Sequence, residues 1–281
     1  MIKLLKYIFK AIDLDPEFKH KIYCYGDQLT CARVRTAKRY MDGNHQPPNS
    51  LRDLKCVIET PGDFHASWAY IDVLFATYWG HKKDICSLSF AHSLLGRKTN
   101  DKAATHFFRS EELMLLYMQG FMSATLIKFI QGKKKKHNVS FSTESSTIKG
   151  NNGKKLKSEG VNDLFINASD DFINLLSMPK PIEGSENSAK YNMCCLVKRI
   201  LVYFYMKFGI RRANSFVVFK AYKLMHPIFI GSHAHNYALE TFRLFLRVYY
   251  DLSEYDAFII FHNRYCNEAG RSNRSIPWDL R

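Results

Sequence analysis

Between Asn187 and Leu239 the chain carries no Asp or Glu. The shortage is general, with 26 acids against 41 Lys and Arg and a formal net charge of +15. Such an imbalance adds self-repulsion to the folded state and points to a polyanionic partner, nucleic acid or an acidic membrane; a basic surface that only keeps the chain soluble is the plainer alternative. The seven cysteines form no CxxC pair, which removes zinc-ribbon and thioredoxin readings and leaves reduced thiols of an intracellular protein. Long apolar runs are missing too. Nothing approaches the roughly 18 residues of a membrane span, and Lys3, Lys6 and Lys10 interrupt the only apolar stretch that could pass for a signal-peptide core. There is no P-loop, no GxSxG, no GxGxxG after a strand and no HExxH, so the common nucleotide, hydrolase and zinc-protease signatures are all absent. These absences predict an intracellular, nuclear protein with no membrane partner and an undetermined oligomeric state.

What is present is organised unevenly. Residues 2–12 have helical apolar spacing. "KIYCY" (21–25) and "LKCVIE" (54–59) read as strands, each closed by turn residues and followed by a helix. The first helix is expected from a Thr30 cap to about Met41, and the second spans 66–79. Helices then dominate, near 110–131, 161–177, 189–208, 213–225, 235–250 and 254–267, with Ser110 starting the first of them. Residues 132–160 are rich in Lys, Ser, Gly and Asn with few large apolar side chains, a composition that predicts a disordered linker. The expected class is α/β and helix-rich: a partial α/β core over 1–80, a helical insertion over 81–232 and C-terminal helices over 233–281 completing the core.

Each strand ends on a carboxylate, Asp27 and Asp63. A carboxylate at the C-terminal edge of a strand sits where α/β folds place ligands. Two held side by side repel, and a divalent cation, Mg²⁺ or Mn²⁺, relieves the repulsion and can organise in-line attack on a phosphodiester. Both could equally cap the helices that follow. Glu240 is the first acid after the acid-free stretch and either points at the carboxylate pair or bonds Arg243 on the helix surface. In its helix Leu239, Phe242, Leu246 and Tyr249 make the apolar stripe, with Asn236, Glu240, Arg243 and Arg247 beside it. His65, two positions after Asp63, could polarise a phosphate, bind a metal or simply hydrogen-bond a helix start. The acid-free section combines Lys198, Arg199, Lys207, Arg211, Arg212, Lys220 and Lys223 with Tyr203, Phe204, Tyr205, Phe208, Phe216, Phe219 and Tyr222. Phosphate neutralisation and stacking faces together suit nucleic acid, while aromatics in the core and cations in water is the simpler arrangement.

"YGDQLTCARVR" (25–35), "PGDFHASWAYI" (61–71), "HNYALETFRLF" (235–245) and "HNRYCNEAGRSNRSIPWDL" (262–280) together resemble the domain of unknown function 6589 family, over nearly the whole chain from about residue 20. The resemblance implies a transposon-derived protein related to cut-and-paste transposases with an RNase H-like core, DNA as partner and a DDE-type, Mg²⁺-dependent nuclease chemistry. One mapping of the three metal-binding acids uses Asp27, Asp63 and Glu240. A second makes Asp27 the second acid, Asp63 with His65 an auxiliary motif and Glu240 the third acid. The second explains the strand–helix–strand order and implies a shortened, inactive chain whose first acid lies upstream of Met1.

Overall fold

Ile22–Gly26 forms strand β1 because its Ile, Tyr and Cys side chains suit a pleated, half-buried surface. It pairs in parallel with β2, Val57–Pro61, in the register Ile22↔Val57 through Gly26↔Pro61. In the computed structural model the described residues are 7, 21–42, 54–97, 106–137, 169–181, 187–267, 270–277 and 279. The expected helix at 2–12, apart from residue 7, and most of the expected linker at 132–160 lie outside them, while the start of that linker continues a helix.

Helix α1, Gln28–Asp42, follows β1 directly and buries Cys31, Val34, Ala37 and Met41 against Leu54, Cys56 and Val57 of the β2 side. Side chains fully withdrawn from water, such as Val34, Leu54 and Val57, contribute about 1.5–3 kcal/mol each. The cap lies three residues before the expected Thr30: it is Asp27, its Oδ1 accepting from the Thr30 backbone N–H at 2.7 Å. β2 ends at Pro61, and the last ladder bond runs from Gly62 N–H to Gly26 carbonyl at 2.8 Å. Helix α2, Asp63–Tyr78, starts at once. The shared register therefore puts Asp27 and Asp63 at the same edge of the sheet, as the sequence pattern implies.

Two compact units are present: Met1–Val73 with Val202–Arg281, and Leu74–Leu201. The second unit is helical, with α3 Leu88–Leu94 capped by Ser87, α4 Phe107–His137, α5 at 169–176 and the first part of α6, Asn187–Arg211. Leu88, Leu113, Met114, Leu196, Val197 and Ile200 are fully buried within it. α4 begins before the expected Ser110, and α3 has no counterpart among the expected helices.

The first unit receives the end of α6, then α7 Ser215–Gly231, α8 His235–Leu246, a π-helical turn Arg247–Asp251 and α9 Glu254–His262. β3 Tyr265–Cys266 and β4 Ile276–Pro277 make a short antiparallel pair. The α6–α7 corner is tight: a Cβ on Gly209 would stand 2.8 Å from Val218. The fold is thus helix-rich α/β, with a two-stranded parallel sheet. All seven cysteines are free thiols. No described helix is long and apolar enough to cross a membrane.

Candidate functional site

Asp63 is the first residue of α2 and is 1% exposed. A carboxylate that deep needs a charged partner, and Arg264, just before β3, supplies it: Nε donates to Oδ2 at 3.0 Å and Nη2 pairs with Oδ1. The Tyr222 hydroxyl of α7 donates to Oδ1 at 2.7 Å, and Arg264 Nη2 also donates to the Pro61 carbonyl at 2.7 Å. Burial and the adjacent Asp63 charge push the Tyr222 phenol well above its ordinary pKa, keeping it a neutral donor. Asp63 is thereby locked between β2, α7 and β3.

Asp27 remains partly exposed. Burial pulls its pKa up, but the Thr30 hydrogen bonds, with His65 and Arg33 nearby, hold it below the usual value. His65 faces Asp279, whose Oδ2 lies 3.1 Å from Nδ1; the same carboxylate accepts from the backbone N–H groups of Phe64 and His65, each at 3.1 Å. Asp279 thus sits on the positive end of α2, where an anion is favoured. Gly62 makes this seat, since a Cβ there would collide with the Asp279 carboxylate. The hydrogen bond to Asp279 raises the His65 pKa against the opposing pull of burial, with Asp27 adding to the rise. Burial raises Asp279, but bonds from the His65 ring and the two backbone amides carry it below its ordinary value.

Glu240 lies on α8 and is 2% exposed. Its Oε2 accepts from Arg35 Nη1 at 2.9 Å, Oε1 pairs with Arg35 Nη2, and Arg243 Nη1 donates to Oε1 at 3.1 Å. Both possibilities left open by the sequence therefore resolve toward arginine, with the pairing buried. A second buried acid, Glu59 in the middle of β2, takes Lys38 Nζ at 2.9 Å on Oε2 and Arg247 on Oε1 and its own carbonyl, with Arg35 Nη1 3.8 Å away. Burial raises the Glu59 pKa, but Arg247 and Lys38 together bring it below the ordinary value. Because Glu240 turns inward, α8 is rotated relative to the expected apolar face: Ala238, Thr241 and Leu244 are buried, while Leu239, Phe242, Leu246 and Tyr249 are exposed.

Asp27 and His65 come together around Asp279, whereas Asp63 and Glu240 belong to two separate networks and do not join them in a shared cation pocket. Among the described residues no group of three or more His, Cys, Asp or Glu could hold a metal ion. Asp279, Arg264, Glu59 and Arg35 are the residues the sequence reading left unassigned. Asp279 stands inside "IPWDL", and Arg35 and Lys38 share a face of α1 with a three-residue spacing, the two signals that were available.

The acid-free helices divide as follows. Tyr203, Phe219 and Tyr222 are buried in the first unit, which makes them core. Phe208 and Phe216 are exposed, at 46% and 68%. Arg212 stands 4.3 Å from the Phe208 ring centre and Lys220 4.4 Å from that of Phe216. Lys223 lies 5.0 Å from Phe219 and 5.2 Å from the exposed Tyr249. Arg211 is also exposed and Lys207 half-buried, while Lys198 and Arg199 belong to the second unit, where Arg199 sits 5.1 Å from the Tyr78 ring.

A family model described as a family of unknown function (DUF6589) matches residues 1–281, and the chain belongs to that family. No curated protein and no solved structure matches it.

Proposed function

We propose that this DUF6589 member is a nucleic-acid-binding protein, with DNA the expected partner, and that the contact runs along the exposed cation–aromatic pairs of the first unit. The observation that carries the reading is the pairing of Phe208 with Arg212 and Phe216 with Lys220 on a stretch of helices free of acids before Glu240, with Lys223 of the same stretch beside Tyr249. Cations there can neutralise phosphates, and exposed rings offer faces on which unpaired bases stack, each worth about 1–3 kcal/mol. Titrating a fluorescein-labelled single-stranded DNA oligonucleotide at several salt concentrations tests this. Affinity is expected to fall steeply with salt, by a log–log slope of about −0.7 per phosphate contacted. A salt-insensitive affinity, or none, leaves the basic charge without this role.

An RNase H-like, transposase-derived origin is the second reading, supported by the order strand–Asp27–helix–strand–Asp63–helix and by the partly exposed Asp27 beside His65 and Asp279. In it, Mg²⁺ or Mn²⁺ would assist phosphodiester cleavage. The engaged lone pairs of Asp63 and Glu240 weigh toward binding without cleavage in this chain. Mn²⁺-supported nicking of DNA that disappears in Asp27→Asn would reverse that preference.

A further inference from the structure

We infer that the cluster around Glu59 and Glu240 is a phosphodiester-binding site, in which the two buried glutamates hold cations in position for the ligand; the inference rests on the nucleic-acid reading above. Four cations, Arg35, Lys38, Arg243 and Arg247, contact these two carboxylates, so the cluster carries a local charge of +2. Neutralising two buried acids requires only two cations. The other two also donate to the carboxylate oxygens, and leave the cluster net positive toward solvent.

The layering runs the same way. The glutamate side chains are 1% and 2% exposed, whereas Arg35, Lys38, Arg247 and Arg243 are 14%, 22%, 20% and 30% exposed. Acids lie beneath and cations toward solvent, which fixes the guanidinium planes without long, mobile side chains having to be ordered by the ligand. Arg243 uses Nη1 alone on Glu240, so among the bonds of the described residues its Nε and Nη2 edge is uncommitted. A guanidinium edge of that kind matches the geometry of a phosphate oxygen pair.

Each element packed here contributes: Arg35 and Lys38 from α1, Glu59 from β2, Glu240 and Arg243 from α8, and Arg247 from the π-helical turn. That turn is closed by the Leu252 N–H bonding the Arg247 carbonyl at 3.0 Å, five residues back. π-helical turns are rare and occur often at functional sites. Here the same five residues carry Arg247 of the cluster and Tyr249 of the cation–aromatic ridge. A backbone phosphate at the cluster and a base on the ridge are thus served by one local irregularity.

The test exploits a difference in sign. If charge alone governs binding, Glu240→Gln makes the surface more positive and tightens oligonucleotide binding. If Glu240 is a positioning residue, the same change releases Arg35 and Arg243 and weakens binding by about tenfold, as loss of orienting partners commonly does. Arg243→Lys, which keeps the charge but loses the planar fork, is expected to weaken it similarly, and decides the matter if Glu240→Gln does not fold. Both are measured by anisotropy with the labelled single-stranded oligonucleotide, with inorganic phosphate as competitor. Tighter binding in Glu240→Gln, or unchanged affinity in Arg243→Lys, overturns the site while Phe216→Ala with Lys220→Ala still reports on the ridge. Phosphate binding without oligonucleotide binding by the unaltered protein overturns it as well. No binding of either removes the function reading together with the site.

Discussion

Two of the places in the first unit that bury carboxylates balance charge in opposite ways. At Asp63 one acid meets one arginine, both about 2% exposed or less, with a tyrosine and a carbonyl sharing the bonds and Arg264 Nη1 left without a partner among the described residues. At Glu59 and Glu240 the acids are equally deep, but their partners outnumber them and reach toward water. The first arrangement is a lock, because a one-to-one pair this deeply buried is closed to a ligand arriving from solvent. The second leaves positive charge at the surface with its geometry already fixed.

The sharpest way to break this contrast is at Arg264. Arg264→Met leaves Asp63 buried without its cation and is expected to destabilise the protein by about 3–5 kcal/mol in denaturant unfolding, whereas a second change, Asp63→Leu, restores part of the loss. Next comes the core of α8. Leu244→Ala, at a position 1% exposed, is expected to lose about 2–5 kcal/mol, while Leu239→Ser on the outer face stays within about 0.5 kcal/mol of the parent. On the ridge, Phe216→Ala with Lys220→Ala should weaken single-stranded DNA binding by at least about tenfold and leave the unfolding midpoint nearly unchanged, since one stacked base is worth about 1–3 kcal/mol.

The smallest effect concerns His65 and Asp279. The His65 pKa is raised in the folded protein, so its contribution is complete below the usual imidazole value of 6.5 and fades as pH climbs through the folded value. Asp279 is lowered, so its contribution is present above 3.8 and fades as pH falls through its folded value. The pair is therefore strongest between about pH 4 and 6.5. Asp279→Asn should return the His65 titration, followed by NMR, toward the ordinary imidazole range. An unchanged titration would mean that Asp279 acts only as a cap for the backbone amides.

The strand–carboxylate units were legible because an apolar run that stops at Gly-Asp encodes both the strand and the turn locally. Most of the described helices were legible for the same reason, though α3 was not, with ends displaced by a few residues, as where Asp27 rather than Thr30 supplies the cap. The partners of the acids were not. Arg264 lies 201 residues from Asp63 and Arg35 lies 205 from Glu240, and nothing local couples them. The rotation of α8 was hidden because its apolar stripe is regular; only Arg35 on α1 and Arg243 within α8 itself let Glu240 join the buried face. Which aromatics are core and which exposed was equally hidden, since α6 and α7 carry them on several sides.

Parallel pairing of β1 with β2 and the burial of Asp63 belong to a unit whose parts are separated along the chain by Leu74–Leu201. During translation at about 5–20 residues per second, Asp63 leaves the ribosome about 10–40 s ahead of Arg264. Throughout that interval Asp63 has no Arg264 with which to pair. The pair that closes this end of the sheet therefore joins residues made before and after the inserted segment.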